Sequence, residues 1–244
     1  MKKELRDEIK QDEFAGGLEK AVEWIGAHRD EVRIGAGVMV VLLAAAGAVG
    51  YFQGQRAREA DRAFRDALTT FEAPVASEVA PDAQRPPGQV FATAEERYKT
   101  AAAAFEGVER RFGSSKTALR AKYYEALSRI ELGQYPEAEK ALRELQSNGT
   151  GLEPELARAA LASLYRRSGQ TDKAVEAYRG LGTNPAANVP RDFAMMCAAR
   201  TLEDAKRWAE ALAAYRQVLE DFPASVYASD ARAEVAHLQS LVLP

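Results

Sequence analysis

The chain has 244 residues, 33 Lys and Arg against 36 Asp and Glu, and a formal net charge of −3. That balance offers no basic field for gathering phosphates, which argues against nucleic acid as a partner. The single cysteine, Cys197, excludes an internal disulfide but leaves the compartment open.

Residues 1–33 carry nine acids and seven bases and set Phe14, Leu18, Val22 and Ile25 at helical spacing, with Trp24 beside them. The spacing predicts an amphipathic leader helix. Its polar face lacks the Lys/Arg enrichment of lipid-binding helices, so it reads as a lead-in rather than a docking surface. His28 has no second ligand near it in sequence and reads as a surface histidine.

Ile34–Phe52 is nineteen residues without a charge, inside an uncharged window of twenty-two residues between Arg33 and Arg56. A helix over that window is roughly 33 Å long, against a hydrocarbon core of about 30 Å. The expectation is one transmembrane helix over residues 34–53, closed by Tyr51 and Phe52 at interfacial depth. A soluble core helix would show a polar stripe, and none is present here. A signal peptide is the other reading, with the small-residue tract Ala44–Ala48 as its cleavage site, but the leader is long and acidic for one. Lys20, Arg29 and Arg33 on one side face Arg56, Arg58, Arg62 and Arg65 on the other, so charge leaves the orientation undecided.

Residues 54–92 comprise a helix with Phe64, Leu68 and Phe71 on one face and then a loop. Pro74, Pro81, Pro86 and Pro87 exclude regular helix up to Gly88, and the loop is expected to be exposed.

From Thr93 the chain repeats itself. Ala101, Ala138, Ala174 and Ala211 recur at steps of 37, 36 and 37 residues. Four residues beyond each stand Phe105, Leu142, Tyr178 and Tyr215, and three further Val108, Leu145, Leu181 and Val218. A small residue followed by two large ones on one face suits a helix pressed against a hairpin partner. The partners precede it: Ala126, Ala162 and Ala199 each lie twelve residues before a ladder alanine, with Ile130, Tyr165 and Leu202 about one turn later. Gly133-Gln134-Tyr135-Pro136, Gly169-Gln170-Thr171-Asp172 and, without glycine, Lys206-Arg207-Trp208 separate the two helices of a pair. Phe112-Gly113, Asn184-Pro185 and Phe222-Pro223 close units. Ser115 and Ser225 are placed to cap the helices that follow, and Val226–Leu241 reads as a terminal capping helix.

These residues resemble the tetratricopeptide repeat family, whose helix-turn-helix unit is about 34 residues long. Leu161-Ala162-x-x-Tyr165, Gly169, Ala174, Tyr178 and Pro185 form the best copy, and Ala199, Trp208, Ala211, Tyr215 and Pro223 another. The copies diverge, because Lys122, Arg158 and Met195 replace the aromatic that usually opens the first helix. The resemblance covers Thr93–Leu241 and, as a half-repeat, Arg56–Phe71. It implies an α-solenoid of divergent tetratricopeptide repeats over residues 93–244 with a C-terminal cap, which with the amphipathic leader and the one transmembrane helix makes the expected chain all-α. It also implies a protein- or peptide-binding groove lined by the first helix of each pair, which nominates Arg120, Tyr123, Arg166, Phe193, Met196 and Arg200.

No catalytic or metal-binding constellation accompanies the repeats. Cys197, within Met195–Ala199, has no adjacent base and reads as a buried packing thiol. Glu137 and Glu139 read as solvated, and no glycine-rich phosphate loop appears outside the span. The expectation is a protein without enzyme activity or cofactor. In layout, and in the Asp12-Glu13-Phe14 leader region, the chain is similar to the tetratricopeptide-type ancillary subunit of the SecYEG translocon. That likeness implies a bacterial inner-membrane protein with a cytoplasmic leader (1–33) and a periplasmic repeat domain that hands emerging chains to chaperones. An envelope-assembly or cell-division scaffold of the same architecture, and a cytoplasmic-facing adaptor with reversed topology, stay open beside it.

Overall fold

The computed structural model describes residues 24, 26–79, 88–113, 115–183 and 189–242. The leader positions Phe14, Leu18, Val22 and Ile25, the loop prolines 81, 86 and 87, and Asn184-Pro185 lie outside the described residues. The chain divides between Arg56 and Ala57 into two units.

In the first unit, Trp24 stacks on His28 with ring centroids 4.7 Å apart. Helix α1 begins at Arg29 and ends at Phe71. It is the one helix among the described residues long and apolar enough to cross a membrane, with a window of mean hydropathy 2.1 and none of that window buried. Large side chains from Ile34 to Phe52 stand 54–70% exposed.

In the second unit, the end of α1 (Ala57–Phe71) is followed by α2 (Ala94–Phe112), α3 (Lys116–Glu131), α4 (Tyr135–Asn148), α5 (Glu153–Arg167), α6 (Thr171–Thr183), α7 (Arg191–Asp204), α8 (Trp208–Asp221) and α9 (Ala228–Val242). Each helix from α2 onward packs on the next, and α3 also touches α5, the pattern of a solenoid of stacked hairpins. The ladder explains why. All twelve ladder side chains, from Ala101 to Val218, are at most 6% exposed, and so are Ala126, Ile130, Ala162, Tyr165, Ala199 and Leu202 on the first helices. Alanine on each helix lets the axes approach, and the larger residue a turn away fills the space beside the contact.

The turns inside the three hairpins α3–α4, α5–α6 and α7–α8 share one set of hydrogen bonds. Gly133 N–H donates to Ile130 and Gln134 N–H to Arg129; Gly169 to Arg166 and Gln170 to Tyr165; Lys206 to Glu203 and Arg207 to Leu202. This is the Schellman arrangement, which needs a left-handed residue after the helix. Gly133 and Gly169 supply it at φ +72° and +74°, and Lys206 adopts it at φ +59° despite its side chain. Ser115 Oγ accepts the Ala118 amide at 3.2 Å and caps α3, while Ser225 Oγ accepts the Tyr227 amide at 3.1 Å just before α9.

The expected exposed loop after Pro74 is only partly that. Val75 and Phe91 are 4% and 3% exposed and form an isolated parallel bridge, with a 3₁₀ turn at Ala76–Glu78. Two apolar side chains meeting across the loop ends have more to gain from burial than proline-rich sequence has from solvation. Arg97 of α2 ties the same place down, donating from Nη1 to the Ala73 carbonyl at 2.9 Å. The start of the solenoid is aromatic: Phe64, Phe71, Phe105 and Tyr124 pack with centroids 5.5–6.3 Å apart.

Candidate functional site

The first helices α3, α5 and α7 stand side by side because their alanines face inward against α4, α6 and α8. The residues on their other faces form a cleft of about 490 Å³. Tyr123 and Leu127 come from α3, Ala159, Ala160, Ser163 and Arg166 from α5, and Phe193, Cys197 and Arg200 from α7, with Tyr178, Leu181 and Val189 behind. Spacings of three and four residues, 123 to 127, 160 to 163 to 166 and 193 to 197 to 200, place each set on one helical stripe.

The structure thus brings four of the six nominated residues, Tyr123, Arg166, Phe193 and Arg200, to one cleft. Arg120 lies elsewhere, its guanidinium 4.7 Å above the Phe64 ring. Met196 does not belong to a groove at all. It is fully buried, within the cluster that includes Ala231 and Leu238 of α9, whereas Tyr123 and Ala159, at the same register in earlier repeats, are only partly buried and line the cleft. The expectation of a buried packing Cys197 holds in part: it is partly buried and packs against the core cluster, and it also lines the cleft. Burial pushes the thiol up from its ordinary pKa, and the Arg200 and Arg166 charges only partly oppose that, so it stays protonated at neutral pH.

The two groove arginines already have partners. Arg166 Nη1 meets Asp204 at 3.0 Å and Arg200 Nη2 meets Asp230 at 3.3 Å. Burial raises the Tyr178 pKa, and the Arg166 charge nearby partly opposes the shift. Phe193 packs at a tilt against Tyr227 with centroids 5.8 Å apart, and Tyr123 meets Tyr124 edge-on at 5.5 Å. Partial burial raises the Tyr123 pKa, so its hydroxyl remains neutral. Chemically, the cleft is a mostly apolar trough with aromatic ends and internally neutralised cations.

Sequence reasoning missed Leu127, Ser163 and Tyr178. Leu127 and Ser163 are one helical turn beyond Tyr123 and Ala159, a spacing visible in the chain. Glu139 is a second correction. Its carboxylate accepts from the Tyr165 hydroxyl at 2.9 Å and pairs with Arg143 at 2.9 Å, and its side chain is 24% exposed rather than simply solvated.

No group of His, Cys, Asp and Glu among the described residues is arranged to hold a metal ion. No curated protein and no solved structure matches the chain significantly. Residues 120–148, which span most of α3 and all of α4, and 194–225, which cover most of α7 and α8, match the tetratricopeptide repeat family. The α5–α6 pair between them has the same buried ladder and the same turn bonds. The chain therefore carries tetratricopeptide repeats, a module that binds other proteins, stacked as successive helical hairpins.

Proposed function

We propose that the protein is a membrane-anchored, non-catalytic adaptor whose repeats bind a polypeptide in the α3–α5–α7 cleft, the cleft lined by Tyr123, Arg166, Phe193 and Arg200, with the rings of Tyr123 and Phe193 making the contacts. The observation that carries the anchor is the bare apolar surface of α1. Ten large apolar side chains from Ile34 to Phe52 are more than half exposed, and removing each from water is worth about 1.5–3 kcal/mol. Lipid is the solvent that suits such a surface. Tyr51, Phe52 and the flanking Arg33 and Arg56 fit the two interfaces.

The layout supports a finer reading: an ancillary subunit of the SecYEG translocon in a bacterial inner membrane, with the repeats in the periplasm near the channel exit, where they receive emerging chains or chaperones. The domain limits in that reading are 1–33, 34–53, 54–92 and 93–244. Protease protection in spheroplasts tests the orientation, since a periplasmic repeat domain is digested from outside while the leader is shielded. Photocrosslinking from position 123 or 193 in intact membranes tests the partner. Translocon or chaperone adducts support the reading, and cell-division or envelope-assembly adducts replace it with a scaffold.

A further inference from the structure

We infer that the α3–α5–α7 cleft selects a polypeptide segment with bulky uncharged side chains, aromatic or aliphatic, and not one presenting acidic residues to its arginines. This rests on the reading that the cleft binds polypeptide and specifies the chemistry of what it binds. The alternative is the obvious one, because two arginines beside aromatic rings invite a carboxylate.

The geometry argues against that alternative. Each arginine is held by an aspartate of the next first helix, Arg166 of α5 by Asp204 of α7 and Arg200 of α7 by Asp230 of α9. The aspartates sit in the chain itself, at a local concentration no separate carboxylate matches. All four side chains are 39–60% exposed, so exchanging one carboxylate for another gains at most about 0–1 kcal/mol. The apolar floor offers more. Leu127, Leu181, Val189 and the two alanines, between the rings of Tyr123 and Phe193, can bury a phenylalanine or leucine for about 1.5–3 kcal/mol. A volume of about 490 Å³ lies in the range that encloses a small ligand, so it holds a few side chains of a segment rather than the whole of it. The role left to the arginines is structural and small: with Asp204 and Asp230 they form exposed bridges between neighbouring repeats, weak enough that the packed helices hold the cleft without them.

Cys197 is the only thiol in the chain and lies in the cleft, so its alkylation rate reports occupancy directly. The full-length protein in detergent is treated with a maleimide in the presence of two short synthetic peptides. One carries Phe and Leu in a Ser/Gln background, and the other has Glu at the same positions. The Phe/Leu peptide is expected to slow Cys197 labelling several-fold, with a Kd that changes less than about twofold between low and high salt, since apolar burial is not screened. Phe193→Ala should abolish the protection, and Arg166→Gln with Arg200→Gln should leave it in place. The Glu peptide should protect only a variant in which Asp204→Asn and Asp230→Asn release the arginines. Circular dichroism checks that each variant is folded. Protection of the unaltered protein by the Glu peptide, lost at high salt, overturns the inference while leaving a polypeptide-binding cleft intact. Protection by neither peptide overturns both.

Discussion

Three joints in the solenoid are built on the same register but not on the same chemistry. Where a second helix meets the next first helix, α4–α5 places Gln146 and Leu161 in one cleft of about 600 Å³ and α6–α7 places Gly182 and Ala198 in one of about 210 Å³. The corresponding pair at α2–α3 is Glu109 and Glu125. Glu109 Oε1 is buried with no hydrogen-bond partner, and Glu125 is the neighbouring carboxyl that acts on it. Glu125, 7% exposed, is also held by Arg129 Nε at 2.5 Å. Burial first, then the Glu125 carboxyl, push the Glu109 pKa up to about 8, while Lys122, itself paired with Glu144 of α4, opposes the shift and Glu106 adds to it. The backbone tolerates apolar, polar or acidic pairs alike at this position. The chemistry decides whether a joint feels pH.

The comparison breaks most severely through what the joints share. Leu142→Ala opens a cavity under a fully buried ladder position and should cost about 2–5 kcal/mol, read from the urea midpoint. A cost below 1 kcal/mol would mean that the ladder is not the common core. The next effect is specific to the α2–α3 joint. Because Glu109 is protonated in the folded protein up to about pH 8 and ionises near 4.5 when unfolded, its stabilisation is complete below pH 4.5 and is lost as pH rises to about 8. The melting temperature should therefore fall across that window, and Glu109→Gln should flatten the fall. If Glu109→Gln retains the full slope, the carboxyl pair is not its origin.

Smaller effects sharpen the comparison at the hairpin turns. Lys206→Gly relieves a left-handed backbone and should stabilise by about 0.5–1 kcal/mol, while Gly169→Lys should destabilise by about 1–2 kcal/mol, both by thermal melting. Equal and opposite shifts would show that the three Schellman turns are interchangeable. Ser115→Ala removes the cap of α3 and should cost about 1 kcal/mol.

The repeat architecture was legible because alanine-to-aromatic spacing is a local pattern that survives divergence, and every ladder position it identified is buried. The glycine-free turn was also legible in outline, from Lys206 standing where the period demands a break. The groove was legible only by helix and stripe. Tyr123, Arg166, Phe193 and Arg200 share a cleft, but Met196 is fully buried in the last core cluster, and nothing in the register of α7 sets it apart from Tyr123 and Ala159. The carboxyl pair at Glu109 and Glu125 was invisible for a similar reason. Each glutamate lies on an ordinary charged helix, and only the packing of α2 on α3 brings them together. Likewise the Val75–Phe91 bridge joins residues separated by a proline-rich stretch that carries no periodicity to reveal it.

The central claim, that the first-helix cleft is the surface that grips another polypeptide, is tested most directly by placing a photocrosslinking residue in turn at Tyr123, Phe193, Lys140 and Arg216 in cells. Adducts from positions 123 and 193, with none from the exposed second-helix positions 140 and 216, are the predicted result. Adducts confined to 140 and 216 would contradict it.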